Sequence, residues 1–224
     1  SRQYIEDRIK RGEVMYGVNT GFAAFCSVVI GEAQVEQLQR NLIRSHSAGV
    51  GEPFSIEETR AVMLLRANTL ARGQSGVRVE LVEKILEFLN ANIVPVIPSQ
   101  GSVGASGDLA PLSHLALGLI GEGYLWHRGE KKLARDVLAE TKIEALVLKA
   151  KEGLSIINGC QVMSAVGLLA LHKAQRLCVL ADTAAAMTLE ATRGSRSPYD
   201  ELLENTRPHP GEATTSRNMR TLLG

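Results

Sequence analysis

Four short polar segments hold the residues of this 224-residue chain that could do chemistry. Tyr16-Gly17-Val18-Asn19-Thr20-Gly21-Phe22 places two glycines and an asparagine around a tyrosine, the composition of a mobile turn that presents a phenol. Taken alone, it reads as an ordinary surface loop. Gly101-Ser102-Val103-Gly104-Ala105-Ser106-Gly107-Asp108 is a second glycine-rich turn, and it leads into Leu109-Ala110-Pro111-Leu112. Asp108 suits an N-cap and Pro111 suits a first helical turn. A turn of this kind before a helix is one way of cradling a phosphate. Here the glycine spacing matches neither dinucleotide nor P-loop patterns and no lysine follows, so no nucleotide site is expected. Asn158-Gly159 with Gln161 is a polar knot ahead of a long apolar stretch, readable as a helix cap with a buried amide. Ser45-His46 is the fourth segment. His46, His114 and His209 have no Cys or carboxylate at ligand spacing, so no metal is expected.

The bulk of the chain supplies what must position these groups. It is 45% hydrophobic with a mean hydropathy of +0.01, enough apolar material for a sizeable core. Lys and Arg total 25 against 24 Asp and Glu, and this balance argues against a nucleic-acid partner. Cys26, Cys160 and Cys178 form no CxxC pair and are odd in number, which points to a reducing, cytoplasmic setting. The charged first residues do not resemble a signal peptide, and no uninterrupted run reaches the ~18 apolar residues of a span, so no membrane is expected.

Aromatic residues make up only 4% of the chain, while Leu, Ala, Ile and Val abound, a composition that favours a mainly all-α fold. Val82, Ile85, Leu86 and Leu89 follow one helical face, ended by Pro95 and Pro98. Ser55 and Glu58 have capping-box spacing ahead of Ala61 to Leu65. A helix from Glu32 to about Ser47 has Val35, Leu38 and Leu42 on one face, and Leu112, Leu115, Ala116 and Leu119 mark another. From Gly159 to about Thr192 the sequence is apolar and free of proline, a long helix of a bundle. The tail around Pro198 and from Pro208 to Gly211 reads as loop.

Taken together in order and spacing, YGVNTGF at 16–22, RSHSAGVG at 44–51, GSVGASGDLAPLSHLALGLIGEG at 101–123, EGLSIINGCQ at 152–161 and RPHPG at 207–211 resemble the histidine and aromatic amino-acid ammonia-lyases. The resemblance covers nearly the whole chain. It implies an active-site domain with glycine-rich loops over residues 1–107, and over 108–224 the beginning of a central long-helix bundle. It also implies a prosthetic group, methylidene-imidazolone, made from Ala105, Ser106 and Gly107 by attack of the glycine nitrogen on the alanine carbonyl and loss of two waters. Eliminating ammonia from an α-amino acid needs such an electrophile, because ordinary side chains supply none. A helix N-terminus beside the ring would help polarise its carbonyl oxygen.

By the same resemblance Tyr16 is the catalytic base, which a positive or polar neighbourhood must assist. Asn158 lies against ring and substrate, its amide able to donate and accept at once. Gly21, Asp108 and Gln161 stand behind these groups. In the family, the dipeptide before the AGVG turn lies along the substrate side chain. Phenylalanine lyases resemble Phe-Leu there, tyrosine lyases His-Leu and histidine lyases Ser-His, and this chain has Ser45-His46. L-Histidine is therefore the expected substrate, with urocanate and ammonia as products. Phenylalanine or tyrosine elimination and aminomutation are the alternatives within the same chemistry. An inactive fragment or assembly module of the same fold is the alternative outside it.

The chain departs from the family pattern at Ala23, where glycine is usual and alanine would be strained at positive φ, and at Cys160, where threonine is usual. It resembles an N-terminal half, with family members continuing well beyond it and assembling as homotetramers. Much of the circumference of the 159–192 helix is apolar, including Val162, Leu169, Leu177 and Met187. Its partners are thus expected in a C-terminal segment, without which the site would be incomplete.

Overall fold

In the computed structural model the described residues are 1–21, 30–104, 107–206 and 208–224, with the side chains of Glu32 and Ala33 also left aside. Phe22, Ala23 and Cys26 of the first loop, Ala105 and Ser106 of the second, and Arg207 fall outside them. The described residues are 60% helix and 9% strand, so the mainly helical expectation holds and two small sheets are added to it. It forms two compact units, Ser1–Gly167 and Leu168–Gly224.

The first unit contains α1 (Arg2–Lys10), α2 (Glu32–His46), β1 (Val50–Pro53), α3 (Ile56–Ala71), α4 (Val79–Asn90), β2 (Val94–Pro95) and β3 (Pro98–Gln100). After these come α5 (Leu109–Leu119), β4 (Tyr124–His127), β5 (Glu130–Leu133), α6 (Ala134–Thr141), α7 (Glu152–Ile157) and the start of α8 (Gln161–Ala191). The strands β1 and β3 pair antiparallel, with Val50 opposite Gln100. A second antiparallel sheet runs β2-β4-β5, with Val94 opposite Trp126 and Tyr124 opposite Leu133. The prolines that stop α4 therefore sit in short strand segments, Pro95 in β2 and Pro98 in β3.

The core gathers around α5, whose Leu112, Leu115, Ala116 and Leu119 are all fully buried as their spacing predicts. Ile43 of α2, Met63 and Leu70 of α3 and Phe88 of α4 pack into the same cluster. The Ser55 hydroxyl accepts from the Glu58 amide at 3.2 Å and the Ser55 amide donates to Glu58 Oε2 at 2.8 Å, completing the capping box. On α4 the buried row is Leu81, Ile85 and Phe88, one step round from the expected face. Leu86 is 40% exposed, because a row of i, i+4 and i+7 through Leu81 carries the larger Phe88 inward. On α2, Val35 and Leu42 are buried as expected, and so is the polar Gln39.

Gln39 belongs to a set of buried polar groups that tie down residues 149–163. Its Oε1 accepts from the Gly153 amide at 2.9 Å. Glu152, with a side chain 0% exposed, accepts from Arg78 Nε at 2.9 Å, Arg78 Nη2 at 2.8 Å, the Arg78 amide at 3.0 Å and the Lys149 amide at 2.8 Å. These bonds join the residue preceding α4 to the first turn of α7.

The second unit holds the rest of α8, a 3₁₀ turn at Ser197–Tyr199, α9 (Glu201–Glu204) and α10 (Pro210–Leu223). Ala186, Met219 and Leu223 form its small core. The tail is thus more ordered than its prolines suggested. Pro198 lies in the 3₁₀ turn and Pro210 opens a 14-residue helix, since proline's missing N–H costs nothing at a helix start. Along α8, Leu168, Leu171, Leu177, Val179, Leu180 and Met187 are all more than half exposed. The helical stretch 152–191 includes an 18-residue window of mean hydropathy 1.7, long and apolar enough by composition to cross a membrane although no uninterrupted apolar run is that long. A core helix of a bundle has the same character.

Burial drives the Glu152 carboxyl up, but hydrogen bonds from Arg78 and from the Lys149 and Arg78 amides outweigh it and leave it below the ordinary carboxylate value. A carboxyl depressed in the folded state adds stability above its unfolded pKa and loses it as pH falls through the folded value. Urea unfolding of Glu152→Ala should show a loss of about 3–5 kcal/mol at neutral pH, because the Arg78 guanidinium is left without its partner. In Glu152→Gln the stability should decline less steeply than in the wild type on acidification below the ordinary carboxylate range.

Candidate active site

The glycine-rich turn at 101–108 is built against the break between α7 and α8. Asp108 stands at the N-cap position of α5 but makes no cap bond to that helix. Its Oδ2 instead accepts from the amides of Val162 and Met163, both at 3.0 Å, capping α8. Its Oδ1 accepts from the Ser102 hydroxyl at 2.5 Å, and its own amide donates to the Gly159 carbonyl at 2.7 Å. The expected cap is real but serves the longer helix, because the ψ of 58° at Asp108 turns α5's first amides away from its carboxylate. One fully buried carboxylate so closes the loop on itself and binds it to α8.

Gly107, with φ +108°, lies against Asn158 and Gly159. A Cβ there would sit 2.6 Å from the Gly159 nitrogen, 3.0 Å from its carbonyl oxygen and 3.2 Å from Asn158 Nδ2, so no other residue fits. This close seat leaves the Gly107 nitrogen unobstructed by a side chain of its own, which is what an attack on the Ala105 carbonyl demands. The described residues therefore fit the prosthetic group that the sequence implies.

Gln161, the first residue of α8, faces α3. Its Oε1 accepts from Arg66 Nη1 at 2.6 Å and its Nε2 donates to Thr69 Oγ1 at 3.1 Å. Arg66 Nη2 also donates to the carbonyls of Ser155 and, at 3.2 Å, Asn158. Arg66 is 2% exposed, and burial lowers its guanidinium to about 10. Residue-by-residue reading of the motifs missed it. The available signal was a charge on the α3 row Val62, Arg66 and Leu70, every member of which is buried.

The α2–β1 turn docks on the other side of the glycine-rich loop. Gly49 packs within 3.2 Å of the position a Gly101 Cβ would take, and β1 pairs with β3 immediately before that loop. The Gly49 amide donates to His114 Nε2 at 3.1 Å. This fixes Nε2 as an acceptor, and burial pushes the His114 imidazole down from its ordinary value, toward the neutral form that can accept. On α2, His46 Nδ1 lies 2.9 Å from the Leu42 carbonyl and 3.0 Å from Ser45 Oγ. A carbonyl only accepts, so Nδ1 is the donor in this pair, and in that tautomer of the imidazole Nε2 is left to accept.

The Tyr16 turn is stapled at its base. The Met15 amide donates to Asn19 Oδ1 at 2.7 Å and Asn19 Nδ2 donates to the Glu13 carbonyl at 2.8 Å. Residues 17 to 21, Gly21 among them, are buried, while Tyr16 is 61% exposed. The hydrogen bonds and packing described above thus join Gly107, Asp108, Asn158 and Gln161 in one network, with Ser45-His46 in the last turn of α2. Tyr16 stands at the exposed head of its own turn. His209 is at the N-cap of α10, in the second unit.

The arrangement defines a glycine-rich turn held between a capped helix and a buried cation. The chain belongs to the aromatic amino acid lyase family, whose model matches residues 1–224. The histidine ammonia-lyase of Deinococcus radiodurans is 52% identical over 223 residues, covering 100% of this chain and 43% of that protein. That of Caldanaerobacter subterraneus subsp. tengcongensis is 47% identical over 223 residues, covering 100% of this chain and 44% of that protein. Among solved structures, histidine ammonia-lyase from Trypanosoma cruzi superposes with a TM-score of 0.92 at 44% identity, covering 98% of this chain and 43% of the other. The tyrosine aminomutase of Streptomyces globisporus does so with a TM-score of 0.90 at 42% identity, covering 98% and 41%. The chain spans less than half the length of these relatives.

Asp108→Ala should destabilise the chain by about 2–4 kcal/mol, since it removes a helix cap and leaves the Val162 and Met163 amides without their acceptor. Asp108→Asn should cost less, because its remaining carbonyl oxygen can still cap Val162 and Met163. Denaturant midpoints of the two variants check the order.

Proposed function

We propose that this chain, completed by the length its relatives have in addition, eliminates ammonia from L-histidine to give urocanate. The carrying observation is the seat of Gly107, which is open to glycine alone and presses the end of the Ala105-Ser106-Gly107 segment against Asn158. Methylidene-imidazolone formed from those three residues supplies the electrophile that ordinary side chains lack. The chain's own groups hold it and the substrate. Asn158 lies beside Gly107 and offers an amide that donates and accepts. Arg66, itself bonded to Gln161, holds the Asn158 carbonyl. Tyr16, on its stapled turn, is the base that takes the β-proton as the ammonia departs.

Ser45-His46 supports histidine as the substrate. An imidazole substrate brings one N–H donor and one acceptor, and His46 Nε2 is an acceptor that can meet the donor. An apolar pair at these positions would leave the substrate nitrogens unpaired at about 1–3 kcal/mol. The similarity to a tyrosine aminomutase favours aminomutation as the second reading, since the same electrophile serves both reactions. The product distinguishes them: an unsaturated acid with free ammonia, or a β-amino acid.

Residues 1–107 as active-site domain and 108–224 as the beginning of a helical bundle remain part of this proposal. The exposed leucines of α8 support a C-terminal segment and further subunits as their cover, in a homotetramer. Cys160 and Cys178 are free, in keeping with a cytoplasmic enzyme.

The intact mass of the full-length protein should fall two waters short of its sequence, with the deficit in the peptide containing Ser106. Ser106→Ala should retain the fold and lose both the deficit and turnover, while full activity without the deficit would exclude this chemistry. Tyr16→Phe should lower kcat with substrate affinity retained. Replacing Ser45-His46 with Phe-Leu should reduce histidine kcat/KM far more than that for phenylalanine. Equal losses would remove these two residues from the side-chain pocket.

A further inference from the structure

Arg66 takes part in no bond-making step, yet its burial is among the most costly features of the first unit. A guanidinium removed from water needs a compensating anion or a full set of acceptors. Every ion pair among the described residues involves other side chains. Its Nε is buried without a hydrogen-bond partner. What it does have is a fork across a gap. Nη2 holds the carbonyls of Ser155 and Asn158 at the end of α7, and Nη1 holds Gln161 in the first turn of α8.

Gly159 lies in that gap, between Arg66 and Gly107. A Cβ on Gly159 would collide with Arg66 Nη1 and Gln161 Oε1, and a Cβ on Gly107 would collide with the Gly159 nitrogen. The guanidinium, the 158–159 backbone and Gly107 are therefore stacked in contact. Any retreat of the first frees the second to move away from the third.

From this stacking we propose that Arg66 is the positioning residue that sets the Gly107 nitrogen for ring closure, by clamping Asn158-Gly159 against Gly107. The inference rests on the reading of residues 105–107 as the prosthetic-group segment. Closure forms the bond from Gly107 N to the Ala105 carbonyl carbon. One water carries away the Ala105 oxygen with the Gly107 and Ser106 amide protons, and a second carries away the Ser106 hydroxyl with its Cα proton. Nothing is oxidised or reduced overall, so the protein has only to hold the nitrogen and carbonyl in line. Misplacement of about 1 Å in such a geometry costs on the order of 10²-fold in rate.

The test is the intact mass of the full-length protein as wild type, Arg66→Met and Arg66→Lys, with circular dichroism and unfolding midpoints recorded on the same samples. Arg66→Met should stay helical while its dehydrated fraction falls about tenfold or more. Arg66→Lys should be intermediate, because one ammonium cannot reach all three acceptors of the fork. Folded Arg66→Met with wild-type dehydration overturns the inference. Should Arg66→Met fail to fold, Gln161→Met and Arg66→Lys decide: an undehydrated fraction in both supports the clamp and complete dehydration in both overturns it. A wild type with no two-water deficit removes the underlying reading of residues 105–107, a result distinct from any of these.

Discussion

The first unit depends on the buried carboxylate of Asp108. Two amides at the start of α8, the hydroxyl of Ser102 and, through its backbone, the Gly159 carbonyl all converge on this one residue. Without a charged acceptor the first amides of a 31-residue helix would be orphaned in the interior. Because the acceptor belongs to the glycine-rich turn, capping the helix and shaping the turn are a single event. The negative charge also suits the positive end of α8. A loop that contains three glycines from residue 101 to 107 should otherwise sample many conformations, and the cap removes most of them.

The same logic explains why so many polar groups are buried along one stretch. Apolar packing of α3, α4 and α5 is tolerant of small shifts, since a leucine contacts its neighbours without direction. Hydrogen bonds are not tolerant in this way. Glu152 with Arg78, Gln39 with the Gly153 amide, Arg66 with the Ser155 and Asn158 carbonyls, and Asp108 with Val162 and Met163 pin successive points of residues 149–163. This is the stretch where α7 ends and α8 begins, and the stretch on which Gly107 rests. The directional bonds give the site its placement, and the hydrophobic core gives it a rigid background.

Much of this was legible in the sequence, and the reasons are local. The capping box at Ser55 and Glu58, the α5 face at Leu112 to Leu119 and the extent of α8 follow from spacing, because a helix translates sequence period directly into a face. The glycine-rich turn was legible as a site through its residues' types and order. Long-range pairing left no such mark. That Asp108 caps α8 across 54 positions, or that Arg66 meets Gln161 across 95, depends on how helices are arranged and on no local period. The shifted face of α4 is an intermediate case. Both rows through Ile85 are apolar, and only the packing of Phe88 decides between them.

The tail and α8 show the opposite relation between composition and structure. Prolines at 198, 208 and 210 suggested loop, but a proline at the first position of a helix starts it, and α10 follows. The exposed leucines of α8 carry the converse lesson. A helix that is apolar on nearly all sides is stable only where other elements surround it. Around Val162 and Ala165 they do, because α8 there continues the core that contains α5. From Leu168 onward the exposed face has the composition of a core and the position of a surface. Exposed apolar area on this scale is typical of an interface. The glycine loop, by contrast, has all of its described anchors within the first unit. Its construction and the covering of α8 are therefore separate demands on the chain: the first rests on anchors between residues 49 and 163, and the second on the exposed face from Leu168 onward.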